Sequence, residues 1–272
     1  MGILYDRLLI LLNESSSDST FYHIALAMLQ NMELLHSLAI NEVADLCRVS
    51  KSTISKFIRA LGYEDYAEFR EAARFQDNKY KNRFNYIEDV MGYLKNHTPE
   101  QYAVQMARDI RTTEAELDWT AIDRLVEDLI RYKKVFALGM MFSGTAAMDL
   151  QIKLGYCGKF IVATLDDIKQ TGNIARADAD TLLIVFSDSG QYLNRYDTID
   201  DFYHKDIFNT TKAKIVLITS DETMAHDPRV AYSILFRRGD EVHTHRTAYP
   251  FISDMIAWRY REATCKKTGT LV

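Results

Sequence analysis

Residues 40–62 read INEVADLCRVSKSTISKFIRALG, and the spacing within them sets the architecture of the first part of the chain. Apolar residues fall at Ile40, Val43, Ala44 and Cys47, then again at Ile54, Phe57, Ile58 and Leu61. Each set has the spacing i, i+3, i+4, i+7, which is one buried stripe of an α-helix. Arg48 and Val49 leave room only for a tight turn between them. Ser50 is suited to cap the second helix by accepting a backbone N–H, and Gly62 to close it. Two short helices joined by a tight turn form a helix-turn-helix, a motif whose second helix fits the major groove of DNA.

The outward face of the second helix carries the chemistry. At about 100° per residue, Ser52, Ser55, Lys56 and Arg59 lie opposite the apolar stripe, with Lys51 and Thr53 flanking at the N-terminal end. Hydroxyls and cations are the groups that reach phosphates and base edges. From Leu46 to Tyr63 the chain has the cations Arg48, Lys51, Lys56 and Arg59 and no acidic residue. The competing reading is a merely solvated face on an ordinary helical pair. The acid-free window inside an acidic protein favours operator DNA as the partner.

The chain has 272 residues, a formal charge of −5, 47% hydrophobic residues and three prolines. This predicts a folded, helix-rich protein long enough for one large or two ordinary domains. The negative balance excludes a generally basic nucleic-acid coat, so any DNA contact has to come from a local patch. Cys47, Cys157 and Cys265 are far apart and lack metal-ligand spacing. Free thiols fit a reducing cytoplasm. The opening MGILYDRLLILL lacks a basic lead and a small-residue cleavage site, so it does not read as a signal peptide. No apolar run approaches the roughly 20 residues of a membrane span. The expectation is a cytoplasmic protein with no membrane partner, no metal and no cofactor.

Helical patterns cover Ile3 to Leu12, Thr20 to His36, the helix-turn-helix, and Tyr66 to Phe75. Five helices without a strand pattern make residues 1–80 an all-α domain. Residues 81–118 read as a linker and connecting helix, with Pro99 at the helix start. After Trp119 the pattern changes. Apolar, β-branched runs at 135–139, 159–165, 181–187, 214–219 and 232–238 alternate with helical stretches. Buried parallel strands separated by helices imply an α/β doubly wound parallel sheet over residues 119–272.

In such a sheet ligands bind outside the carboxyl ends of the strands. Two strand ends here are rich in small and hydroxyl residues, and each is expected to lead into a helix. The first is Gly139-Met140-Met141-Phe142-Ser143-Gly144-Thr145, and the second is Ser187-Asp188-Ser189-Gly190-Gln191-Tyr192. Hydroxyls and free N–H groups at such ends form an anion site. A dinucleotide fingerprint would need glycine at Met141, a P-loop would need lysine at Thr145, and a serine-hydrolase elbow is absent. The plainer alternative is that the small residues only let helix approach strand.

These residues resemble the RpiR family of bacterial regulators, in which a helix-turn-helix domain precedes a sugar isomerase (SIS) domain. The resemblance covers nearly the whole chain. Ile40, Ala44, Val49-Ser50, Thr53-Ile54-Ser55, Phe57, Leu61-Gly62-Tyr63 and Phe69 match the family's N-terminal pattern, with Lys56 where arginine is usual. It implies that Lys51, Ser52, Thr53, Ser55, Lys56 and Arg59 contact operator DNA. Gly139, Met141 and Ser143 stand at the family's G-x-G-x-S, the middle glycine being lost. Ser187, Ser189, Gly190 and Tyr192 stand at S-x-S-G-x-T, the final threonine being lost. The resemblance implies a small phosphosugar effector held by Ser143, Ser187, Ser189, Gly190 and Gln191. The acidic balance and the single small basic patch lead to the expectation of a homodimer or homotetramer, which multiplies the phosphate contacts. Two alternatives stay open: a phosphosugar isomerase, and a regulator whose pocket is vestigial.

The segment Gly239-Asp240-Glu241-Val242-His243-Thr244-His245-Arg246 is polar between apolar elements. Glu241, His243 and His245 would serve an isomerase as acid or base groups. Two histidines do not complete a metal site. Arg246 matches an arginine that the family often carries near this point.

Overall fold

The computed structural model describes residues 3–74, 86–194, 207–237 and 247–268. They fall into two compact units, Met1–Lys81 and Asn82–Val272. No helix among the described residues is long and apolar enough to cross a membrane.

The first unit is all helical: α1 (Ile3–Glu14), α2 (Thr20–Gln30), α3 (Met32–Leu35), α4 (Ile40–Leu46), α5 (Lys51–Ala60) and α6 (Tyr66–Arg74). The single helix expected over 20–36 is broken at Asn31. Its side-chain amide donates to the Ala27 carbonyl at 2.8 Å and its backbone leaves helical angles, with φ −128°. That side chain satisfies a carbonyl the helix end would otherwise orphan. The anticipated stripes meet in one core, where Ile54, Phe57 and Ile58 of α5 pack with Val43 and Ala44 of α4, Leu4 and Leu8 of α1, and Phe69 of α6. Arg7 is buried beside them, donating to the Leu61 carbonyl at 2.9 Å with its guanidinium over the Tyr63 ring. One buried cation thereby anchors the C-terminal end of α5.

In the second unit, α7 (Gly92–Asn96), α8 (Pro99–Glu116) and α9 (Trp119–Arg131) precede the sheet. Pro99 takes the first turn of α8, behind a capping box of Thr98 and Gln101, where its missing N–H costs nothing. This helix is inverted relative to its composition. Gln105, Asp109 and Thr113 are buried, whereas Val104 and Ile110 are exposed. Thr113 donates to the Arg237 carbonyl at 2.9 Å, and Gln105 donates to Asp109 Oδ1 at 3.1 Å.

There follow β1 (Lys134–Leu138), α10 (Phe142–Tyr156), β2 (Val162–Ala163), α11 (Asp167–Ala175), β3 (Thr181–Phe186), α12 (Ile207–Thr210), β4 (Lys214–Thr219), α13 (Glu222–Ala225), β5 (Tyr232–Leu235) and α14 (Ala248–Thr268). All pairs are parallel, in the order β2-β1-β3-β4-β5. Side chains alternate between two cores, as pleating requires. Leu182, Ile184 and Phe186 face residues of α9, α10 and α14, while Leu183 and Val185 face residues of α11 and α12. This is the expected doubly wound sheet, covered on both sides.

The run 159–165 forms only a two-residue edge strand. Lys159 N–H closes the end of α10 on the Leu154 carbonyl, and the Gln151 amide takes the Ile161 carbonyl at 2.8 Å. With those groups committed, pairing with β1 is restricted to Val162 and Ala163, and Phe160 is 76% exposed.

Candidate functional site

Two regions bring the sequence-predicted residues together, one in each unit. On α5, Ser50 caps the helix, accepting the Thr53 N–H at 3.2 Å, and its hydroxyl also lies 2.8 Å from those of Ser52 and Thr53. Ser55 donates to the Lys51 carbonyl at 3.2 Å, so its proton is held by its own helix. Lys51, Ser52, Lys56 and Arg59 are exposed, while Thr53 and Ser55 are half-buried. Among the described residues none of Arg48, Lys51, Lys56 or Arg59 pairs with a carboxylate. The helix therefore offers three cations and a hydroxyl cluster on the side away from Ile54, Phe57 and Ile58.

The turn before α5 has an unusual backbone. Arg48 has φ +54°, its N–H reaches the Asp45 carbonyl at 3.1 Å, and Val49 N–H reaches the Ala44 carbonyl at 3.0 Å. This is the Schellman pattern normally built on glycine. Its two hydrogen bonds fix the direction in which the chain enters α5.

In the second unit the strand order reverses direction at β1, with β2 on one side and β3 on the other. That is the switch point where a doubly wound sheet opens a crevice. Register places Leu138 beside Val185, so the Gly139–Ser143 and Ser187–Gln191 loops emerge side by side. A Cβ on Gly139 would stand 2.6 Å from the Ser143 backbone, which is why the first turn of α10 can sit so close to β1. Met141 is the N-cap of α10 and has φ +50°, ψ −122°, a region that a side chain strains. The resemblance places glycine here, and the backbone has kept the glycine conformation.

The loop hydroxyls have different fates. Ser187 is buried and its Oγ accepts the Tyr192 N–H at 3.2 Å. Ser143 and Ser189 are half-buried, and their hydroxyls have no partner among the described residues. Gly190, with φ +68°, turns the chain against Met224, where a Cβ would come within 2.3 Å of the methionine Cβ. Gln191 Oε1 accepts weakly from Asn194 at 3.4 Å. Within the described residues this loop leads into a 3-10 turn, Gln191–Asn194. Arg229 pins that turn, donating to the Leu193 carbonyl at 3.1 Å and to the Asn194 side chain while it pairs with Asp227 at 2.7 Å. Those bonds hold the Asp227 carboxyl below the usual carboxylate range.

Sequence reasoning missed several residues of this site. Gln170 is fully buried on α11 and bonds to Gly139, Thr164 and Tyr192. Asp188 is buried and accepts from the Ser220 hydroxyl at 2.7 Å. A glutamine midway along a helix carries no local signal for such a role. The segment 239–246, with Glu241, His243, His245 and Arg246, lies outside the described residues. Among those described, no group of three or more His, Cys, Asp or Glu is placed to hold a metal ion. A separate cleft of about 360 Å³, lined by Tyr93, His97, Gln101 and Arg108, has none of the strand-end hydroxyl chemistry.

The chain is thus a helix-turn-helix domain followed by a doubly wound parallel α/β domain. Residues 13–77 match the helix-turn-helix domain of the rpiR family. Through this domain the chain is similar to that family. It is 23% identical over 195 residues to an HTH-type transcriptional regulator in the aarA 3′ region of Providencia stuartii, covering 70% of this chain and 67% of the relative. Among solved structures it is similar to the Vibrio vulnificus NanR protein complexed with ManNAc-6P, with 16% identity, a TM-score of 0.49, and coverage of 98% of this chain and 92% of that one. The sugar isomerase domain of an RpiR transcription factor from Sphaerobacter thermophilus gives 15% identity, a TM-score of 0.45, and coverage of 64% and 99%.

Proposed function

We propose that this protein is a DNA-binding transcription regulator whose α/β domain senses a small phosphorylated sugar. The observation that carries the reading is the α5 surface. Lys51, Ser52, Lys56 and Arg59 are solvent-exposed on a capped helix whose other side is locked into the core. In this reading Lys51, Ser52, Thr53, Ser55, Lys56 and Arg59 contact the operator. The effector sits at the switch point against Ser143, Ser187, Ser189, Gly190 and Gln191. Support for an anion there comes from the two open hydroxyls and the start of a 15-residue helix.

The domain senses rather than catalyses, and the protein acts in the cytoplasm as a homodimer or homotetramer. One recognition helix with the cations Lys51, Lys56 and Arg59, and Arg48 in the turn before it, makes few phosphate contacts, and pairing doubles them. An effector that favours one arrangement of the pair shifts the population that fits the operator.

Two measurements test this. Duplex from the protein's own promoter should bind with an affinity that falls linearly in log salt, and a salt-independent or absent interaction would sink the DNA reading. A thermal-shift panel of sugar phosphates should contain at least one stabilising member. Turnover of a pentose or hexose phosphate, lost on Glu241→Gln, would instead establish the isomerase alternative.

A further inference from the structure

Tyr192 stands where the resemblance places a compact threonine, and its surroundings are specific. The ring is 6% exposed and meets Phe208 edge-on, with centroids 5.8 Å apart. Its hydroxyl donates to Gln170 Oε1 at 2.5 Å, and its N–H donates to Ser187 Oγ. Gln170 Oε1 also accepts the Gly139 N–H at 3.2 Å, while Nε2 donates to the carbonyls of Gly139 and Thr164, both at 2.8 Å. A glutamine amide has two acceptor sites on oxygen and two hydrogens on nitrogen, and here all four are used. One buried side chain therefore joins the ends of β1 and β2 to the turn after β3. Tyr192 completes that junction.

We propose that Tyr192 is the affinity-setting residue of the strand-end site, acting as a latch that a phosphorylated ligand has to release. The inference rests on the phosphosugar reading of that site. While the latch is closed, the N–H and O–H of Tyr192 are both committed within the protein, and its ring fills space that a threonine would leave open. Binding draws on the fraction of molecules in which the hydroxyl has left Gln170, and the apparent affinity is reduced by that fraction.

Tyr192→Phe keeps the ring and deletes only the hydroxyl bond. It is compared with the parent by calorimetry and stopped-flow, using ribose 5-phosphate, glucose 6-phosphate, glucosamine 6-phosphate and inorganic phosphate as probes. The expected result is tighter binding of at least one probe by about five- to ten-fold, the worth of one net hydrogen bond. The gain appears in the association rate, together with a lower melting temperature of the ligand-free protein. A merely structural hydroxyl would lower the melting temperature and leave binding unchanged or weaker. That result overturns the latch and leaves the phosphosugar reading standing. If neither protein binds any probe, the phosphosugar reading falls and the latch falls with it.

Discussion

Arg48 and Gly62 hold the same position at the ends of consecutive helices, each in left-handed backbone, with φ +54° and +81°. After α5, Gly62 N–H reaches the Arg59 carbonyl at 3.0 Å and Tyr63 N–H reaches Ile58 at 3.2 Å. After α4, Arg48 and Val49 make the equivalent bonds. Glycine adopts this conformation without a Cβ penalty, whereas arginine incurs roughly 1–2 kcal/mol. Strain is thus stored in the turn that aims α5, beside its polar face.

Arg48→Gly should raise stability by about 0.5–1 kcal/mol, the relief being partly offset by the added freedom of glycine in the unfolded chain. Urea unfolding measures it. The same variant should bind DNA less tightly, having lost a cation. Lower stability would mean that the arginine is held by more than its backbone.

Lys56→Ala and Arg59→Ala should each weaken duplex binding and reduce the slope of log affinity against log salt by about 1. Both side chains are exposed, so the unfolding free energy should change by less than about 0.5 kcal/mol. Binding as tight as the parent's in both variants would show that the duplex is read by some other face.

Two loop positions should respond oppositely to changes of glycine. Met141→Gly removes a side chain from φ +50° and should stabilise the second unit by about 1 kcal/mol. Gly190→Ala places a Cβ within 2.3 Å of Met224 at φ +68° and should cost about 3 kcal/mol. Denaturant midpoints for the two variants read both effects. A tolerated Gly190→Ala would show that the Met224 backbone yields.

The Asp227–Arg229 pair predicts an acid limb. Asp227 has a folded-state pKa lowered chiefly by its hydrogen bonds from Arg229. Its contribution is therefore fully present above the ordinary aspartate value of about 4 and is lost as pH falls below it. Asp227→Asn should cost about 2 kcal/mol at pH 7, and the gap from the parent should narrow below about pH 4. A gap constant from pH 7 to pH 3 would mean that the carboxylate charge plays no part in pinning the turn.

Much of this molecule was legible in local pattern. The helix-turn-helix could be read because each of its signals, the i, i+3, i+4, i+7 stripes, the Ser50 cap and the Gly62 stop, acts within a few residues of its cause. The parallel strands could be read because a strand buried on both faces has to be continuously apolar, as Thr181–Phe186 is. Even the switch-point loops were marked by their small and hydroxyl residues, since helix and strand approach closely there. Tertiary structure alone decided that Asn31 would break a helix and that Gln151 would take a carbonyl from the edge strand. It alone assigned polar Gln105, Asp109 and Thr113 to the buried side of α8. It also brought Gln170 and Tyr192, 22 residues apart, into one hydrogen bond at the strand ends. The physical reason is common to all of these. Local periodicity specifies which side of an element avoids water, whereas a polar group's partner depends on which distant backbone group the packed chain leaves unsatisfied.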